Sequence, residues 1–534
     1  MVNEKLNLNI GGLPFGNGLF FSSPIIFTGT FALSAFYLLC FIQTYVSFYV
    51  WSSLFIFTSV SFLILCFFKR IFFNKKKLQK ALLFSFAGIL IGCISFLRLL
   101  IFYSPQATLA EAEKVEGVKL VLTGDPLPAG EKYYSADAKL FSFTYRGGQS
   151  FSAEGNIKIF FPSEMVKQNN AFGVSVYKGK TDNACKNFSK GAVLFARGRF
   201  IEKKEKISPP VFFTAKEIPE FLGWISFFSG IRANLRFNLM RLLAGWGSAG
   251  GLLLALLSAN KDFLDTACSV SFKNAGLAHI LALSGMHVSL VSLTAIRMGT
   301  VFGKRSFAIK FSLFSIILFV WFAGSAPSLN RALGMMIILV SGKSLGLQPD
   351  MLSVLSSMLV LHIAVKPEDS LSLGFIFSYG ALSGILLFGK ALTEVFKGKI
   401  PERVLGGLSA SLGAQSFTAP AAVFKIGVLA PIGILASAII SPLVSVFLIL
   451  GMTGIFTAFI LPSSGFIFNF ILNFLYGIIL TLAETFSRMP LIRAETFIGK
   501  FFFSAVPFSA GVTVMLFACY LKEKRTAVFK FNGV

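Results

Sequence analysis

Runs of apolar residues close to the width of a bilayer recur along this sequence, and they dictate the solvent in which it can fold. A helix needs about 20 predominantly apolar residues to cross a ~30 Å hydrocarbon core. Three such runs open the chain, at 25–46, 52–68 and 81–103. Ten more follow, at 274–296, 311–324, 329–340, 351–365, 371–388, 408–424, 428–440, 444–461, 466–482 and 501–520. Several fall short of the ~18 residues a span requires and need extended ends or neighbours. Composition agrees: 55% of residues are hydrophobic and 14% charged, where soluble domains carry about 25% charged residues. The expected fold is mainly α, a polytopic transmembrane helix bundle.

One stretch departs from this pattern. Residues 104–220 mix charges of both signs. They alternate apolar and polar positions at 118–124, 138–145, 156–161 and 192–200, with turn residues such as Gly124-Asp125-Pro126 and Arg146-Gly147-Gly148 between. Period-two runs between turns read as a small antiparallel all-β domain. Five or so short strands suit an OB-like barrel, although strand order alone fits a sandwich equally. The expected layout is therefore N-terminal helices over 1–103, the β domain over 104–220 and a short-helix region over 221–270. A channel-type helix domain over 271–521 and a basic tail over 522–534 complete it. Within 221–245, Arg232, Arg236 and Arg241 fall toward one side of a helix, the pattern of an interfacial amphipathic helix. The run 250–259 is too short to span and suggests a re-entrant or buried half-helix.

The net charge of +25 invites a nucleic-acid reading, but excess Lys and Arg in cytoplasmic loops accounts for most of such a surplus. The basic loops 69–80, 297–310 and 390–403 are expected on the cytoplasmic side, which makes 104–220 extracytoplasmic. Beyond residue 408 the alternation fails by one span and leaves Lys522–Arg525 on the wrong side. One late segment is therefore expected to be re-entrant or interfacial. The six cysteines form no CxxC pair, and only Cys185 falls in the β domain, so no disulfide is expected within it. Three histidines in all exclude a His-rich metal site, and no cofactor is implied.

Polar residues inside apolar segments are costly and mark cavities or partner helices. His279, Ser284, Gly285 and His287 share one such segment. On a helix Ser284 and His287 would touch, and helix-packing histidines are the plain alternative. A second break is Gly324-Ser325-Ala326-Pro327-Ser328-Leu329-Asn330-Arg331. Ser325 could cap a new helix with Pro327 in its first turn. Backbone N–H groups at such a start attract anions, and Arg331 lies about one turn further in. Phosphate binding and simple snorkelling both account for that arginine. The stretch 367–383, with Gly374 and Ser378, reads as close helix packing. The stretch 413–420, with Gln415 and Pro420, is a further interrupted helix, and paired interrupted helices point to a membrane site.

Together these stretches resemble the ComEC family of competence proteins, membrane channels for DNA uptake. The similarity is carried by Ala275-Gly-Leu-Ala-His279-Ile-Leu-Ala-Leu-Ser284-Gly285-Met-His287-Val and by Ala323-Gly-Ser325-Ala-Pro327-Ser328-Leu-Asn-Arg331-Ala. Phe375-Ile-Phe377-Ser378-Tyr379 and the Gly413–Pro420 run follow in the family's order. The resemblance covers about residues 220–460, and it implies an OB-like domain where the β segment lies, with Asp125 and Arg197/Arg199 near strand ends. It further implies that single-stranded DNA passes through the bundle. The expected path lining is His279, Ser284, Gly285, His287, Ser325, Pro327, Ser328, Arg331 and Gln415, with Arg197 and Arg199 as outer contacts. Many family members carry a C-terminal metallo-β-lactamase-like domain, and the expectation here is a short form without nuclease activity and without enzymatic function. The bilayer, a separate DNA receptor and nuclease, and a second copy of the chain are the implied partners. Two other classes compete: a transporter of a small anion or lipid precursor, and an intramembrane serine protease using Ser284 with a histidine base.

Overall fold

In the computed structural model, burial alternates residue by residue over 133–141 and 156–162 of the inserted segment, as the period-two pattern predicts, whereas Val115–Leu122 is buried at most positions on both faces. The structure describes residues 25–43, 75–103, 114–130, 132–162, 188–202, 211–217, 219–324 and 326–531. The expected span 52–68, residues 69–74 of the expected basic loop, Cys185 and Ser325 lie outside them.

Five strands close on themselves. β1 (Val115–Leu122) pairs antiparallel with β2 (Tyr133–Tyr145), which pairs antiparallel with β3 (Ser150–Pro162). β3 runs parallel to β5 (Val211–Ala215), β5 pairs antiparallel with β4 (Ala192–Glu202), and β4 returns antiparallel to β1. A sixth strand, β6 (Glu220–Trp224), extends β4 and leads into the helices. The ring has no free edge between β1 and β5, which removes the usual liability of exposed strand edges. Its interior is filled by one side chain in two from each strand, including Val118, Leu120, Ala138, Ile159, Phe161, Leu194 and Phe213. Four of the strands were legible as alternating runs; β5 was not, because Pro209-Pro210 precedes only five strand residues.

The remainder is helical. α1 (Ile25–Gln43) and α2 (Lys75–Tyr103) pack so closely that a Cβ on Gly88 or Gly92 would lie 2.4 and 2.5 Å from the carbonyl oxygens of Thr28 and Ala32. Small residues that let backbones meet are the usual means of helix association in lipid. After the barrel come α3 (Phe227–Ala244), the enclosed α4 (Gly247–Ser258) and α5 (Thr266–Asn274). Then follow α6 (Gly285–Phe302), α7 (Arg305–Ala323), α8 (Pro327–Ser344), α9 (Met351–Val365) and α10 (Leu373–Phe396), the last with a π turn at Ile385–Gly389. α11 (Glu402–Ile426), α12 (Gly433–Ile460), α13 (Ser464–Ser487) and α14 (Phe497–Phe531) complete the chain. Among the described residues, six helices are long and apolar enough to cross a membrane: α6, α7, α10, α12, α13 and α14.

Three expected spans are corrected. The run 274–296 is not one helix: α5 ends at Asn274, Gly276 turns the chain at φ +75°, and α6 starts only at Gly285. The apolar residues 277–283 are irregular because Ser284 caps the helix that follows. The runs 428–440 and 444–461 are, from Gly433 on, one helix, with Pro442 inside it. The sequence reads Ser441-Pro442 as a boundary, but a membrane helix tolerates proline where neighbours re-satisfy the backbone. Residues 428–429 instead form a two-stranded ladder, β7 (Val428–Leu429) with β8 (Ile492–Arg493).

Candidate functional site

The site is built where α6 and α8 begin. Ser284 takes extended backbone geometry and caps α6: its hydroxyl accepts from the Met286 N–H at 3.3 Å, and its own N–H donates to His287 Nδ1 at 3.2 Å. This reciprocal arrangement is a capping box with histidine in the place of the usual glutamate. Ser284 Oγ also lies 3.1 Å from His287 Nδ1. The contact expected from spacing is therefore present, but as a helix cap and not as two neighbours within a helix. His287 Nε2 is buried and has no hydrogen-bond partner, so no third group orients the ring as a serine–histidine dyad needs.

Pro327 occupies the first turn of α8, where its missing N–H costs nothing. Ser328 donates to the carbonyl of Leu283, tying the start of α8 to the residue before the α6 cap. Arg331, one turn further on, is 7% exposed, and its Nε and Nη1 are buried without a partner. Its Nη2 reaches back over Gly285, where a Cβ would lie only 3.2 Å away. Ser284, Gly285, His287, Ser328 and Arg331 thus meet at one helix break. A buried guanidinium with donors unmade is expensive, and beside a helix N-terminus it offers charge and N–H groups to an anion.

Other expected residues lie elsewhere. His279 is exposed in the 275–284 loop, its Nδ1 3.2 Å from the Gly276 carbonyl. Gln415, in the middle of α11, donates to the Ala430 carbonyl at 2.8 Å, and its Oε1 is buried without a partner. Arg197 and Arg199 stand exposed on one face of β4, with Arg197 3.8 Å from Glu217.

Sequence reasoning missed the groups around Arg331. The guanidinium lies over the Tyr379 ring, 5.8 Å from its centroid. The Tyr379 hydroxyl is 3.1 Å from His362 Nδ1, and His362 Nε2 is 3.1 Å from Asp369 Oδ2. It also missed the joint between barrel and bundle. Asp125, after β1, accepts from Arg232 Nη1 and Nη2 at 3.0 and 2.6 Å and from the Lys190 N–H at 2.9 Å. Arg232 Nε donates to the Trp321 carbonyl, and Arg236 donates to those of Phe322, Ala323 and Ser258. The two arginines read as interfacial therefore face inward and cap the ends of α7 and α4, where the helix dipoles favour cations. Burial pushes the Asp125 carboxyl up, but Arg236, Arg232 and the Lys190 amide outweigh it and hold the group well below the usual carboxylate range. Tyr134 of β2 adds a 2.7 Å bond to Asp262 between α4 and α5. Among the described residues, no group of three His, Cys, Asp or Glu could hold a metal ion.

These features define a multi-pass membrane protein: a helix bundle with a small β barrel pinned to one end, and a buried cation at paired helix starts near that end. The chain belongs to the competence protein family, whose model matches residues 256–524. Over 168 residues, 31% of this chain, it is 23% identical to ComE operon protein 3 of Bacillus subtilis (strain 168). The matched stretch spans 21% of that protein's length. No solved structure matches.

Proposed function

We propose that the chain is a channel for single-stranded DNA in the cytoplasmic membrane during natural transformation. The barrel, which we read as OB-type, stands on the extracytoplasmic side. The order β1-β2-β3-β5-β4-β1 with a parallel β3–β5 pair supports that reading, and such barrels commonly take single strands. Membership of the competence family and the relationship to a ComE operon protein support DNA as the cargo.

One observation carries the proposal: Arg331, buried, with two donor nitrogens unmade and the α6 start beside it. Phosphodiester oxygens would complete those donors in turn as the strand passes. The same arginine fits a transporter of a small anion or lipid precursor, so the test must name the cargo. Uptake of a labelled single strand is measured in cells carrying Arg331→Gln, with membrane abundance followed separately. A charge-assisted contact of about 1.5–3 kcal/mol predicts a loss of roughly ten- to hundredfold. Normal uptake at normal abundance would remove the channel reading, and loss of anion flux with normal DNA uptake would favour the transporter.

A further inference from the structure

His362 has no part in the proposed path, yet both of its ring nitrogens have partners. It is buried on α9, with Nδ1 facing the Tyr379 hydroxyl and Nε2 facing Asp369, each at 3.1 Å. The same hydroxyl lies 3.3 Å from the Met358 carbonyl. The far side of this chain is Arg331, over the Tyr379 ring.

We infer that His362 is a proton-binding site whose charge is tied through Tyr379 to the anion contact at Arg331. The inference rests on the proposed role of Arg331. Its basis is that the surroundings satisfy both states of the ring. In the neutral imidazole, Nε2–H donates to Asp369 and Nδ1 accepts from the Tyr379 O–H. In the imidazolium both nitrogens donate, Nδ1–H to the Tyr379 oxygen, and the Tyr379 O–H turns to the Met358 carbonyl. The two states differ by one proton on Nδ1 and the rotation of one hydroxyl, and neither strands a buried donor or acceptor. A histidine fixed in one state leaves such a group unmade in the other, at a cost.

The charged and titratable groups packed around the ring come from several elements. Tyr37 of α1 donates to the Ser370 carbonyl at 2.9 Å, and Arg98 of α2 donates to the Ala364 and Val365 carbonyls. The turn Pro367–Leu371 contributes Glu368 and Asp369, and Lys366 precedes it, close enough to be felt by Lys190 of the barrel. Arg331 and Tyr379 complete the surroundings. Only imidazole changes charge between about pH 5 and 8 with its ordinary pKa. With the ring neutral, Arg331 and Asp369 balance across Tyr379. Proton uptake leaves that group net positive, so an anion at Arg331 binds more tightly. By reciprocity the anion strengthens proton binding by the same factor.

The test uses the full chain in lipid nanodiscs with a fluorescent single-stranded oligonucleotide, whose phosphodiester charge is constant over the range. Affinity should rise roughly tenfold, a common size for coupling between sites, as pH falls from about 8 to about 5.5. H362Q keeps a donor and an acceptor but no titration, and should lose this increment. Y379F keeps the ring beneath Arg331 without the hydroxyl, and should lose it too. A pH profile in H362Q equal to that of the unaltered chain overturns the inference. So does a 15N spectrum, with His362 assigned by comparison with H362Q, in which this imidazole stays neutral to about pH 5.5. If R331Q binds the oligonucleotide as tightly as the unaltered chain, the channel reading fails. The 15N titration of His362 then judges the proton site alone.

Discussion

At Gly285 the absence of a side chain is what lets Arg331 reach the start of α6. A Cβ there would lie 3.2 Å from Nη2, so alanine asks that nitrogen to yield by a few tenths of an ångström. Valine would drive it out of the break. Gly285→Val is therefore expected to reduce single-strand uptake as far as Arg331→Gln does, and Gly285→Ala only a few-fold. Membrane abundance separates both from misfolding. Ser284→Ala removes the cap on the Met286 N–H and should cost about 1 kcal/mol of stability, measured by thermal unfolding in detergent, while Ser284→Asp retains the acceptor. The sequence exposed Arg331, as a lone cation in an apolar run, and the Ser284–His287 contact, through its spacing. It could not expose the Tyr379–His362–Asp369 chain. Those bonds join α9, the following turn and α10, and only the packing of two helices brings them together. Asp369 and Tyr379 sit in a stretch whose small residues point first to close packing, and that signal hid theirs.

Among elements, the joint of Asp125 with α3 decides whether barrel and bundle move as one. Arg232 is 4% exposed at the side chain and Asp125 20%, so Asp125→Asn leaves a buried guanidinium without its counter-charge. Breaking such a pair typically costs about 3–5 kcal/mol. The sign of the pH dependence follows from the lowered carboxyl. Its contribution is complete above the unfolded carboxylate range, near pH 4, and is lost as pH falls through the lower folded value. Hydrogen exchange of α3 should stay slow in mild acid in the unaltered chain, and should be fast at every pH in Asp125→Asn. Equal exchange in both would mean the carboxylate does not hold the joint. A second contact of this scale is the crossing of α10 and α11. A Cβ on Gly413 would lie 2.6 Å from the Gly384 carbonyl oxygen and 2.7 Å from the Gly389 nitrogen, at the π turn. Backbone cannot yield as a flexible side chain can, so Gly413→Ala should cost at least the 1–3 kcal/mol typical of overpacking, again read by thermal unfolding. Close packing of α10 was legible in the small residues of 367–383, whereas 413–420 reads as an interrupted helix and is instead the continuous middle of α11, with Pro420 inside it. That the contact centres on Gly384 was not legible, because only the register between the helices decides which small residue meets which.

For the whole molecule, the joining of two expected spans into α12 changes which loops share a side. Were 428–440 and 444–461 separate crossings, the segments before and after α12 and α13 would fall on opposite faces of the bilayer. With one crossing each for α12 and α13, Gly427–Ile432 and Arg488–Thr496 return to the same face, as their ladder requires; with α11 as a further crossing, as expected for 408–424, α14 would carry the basic tail to the side of the 390–403 loop. The alternation that fails with 428–440 and 444–461 as separate crossings would hold in that arrangement. In the β7–β8 ladder Val428 pairs with Arg493 and Leu429 with Ile492. Ala494 donates to the Gly427 carbonyl at 3.0 Å, which makes Gly427–Ala494 the hydrogen-bonded pair and Val428–Arg493 the closer, non-hydrogen-bonded one. Such pairs have Cα atoms about 4.5 Å apart, inside the ~4.4–6.8 Å that a disulfide accepts. In a chain whose own cysteines are replaced, Val428→Cys with Arg493→Cys should therefore cross-link readily in native membranes, and Val428→Cys alone should not within one chain. Opposite faces of a ~30 Å core cannot be bridged by any disulfide. Failure of the pair to close, with both thiols reactive to a small reagent, would return α12 to two segments and reverse the side on which the tail lies.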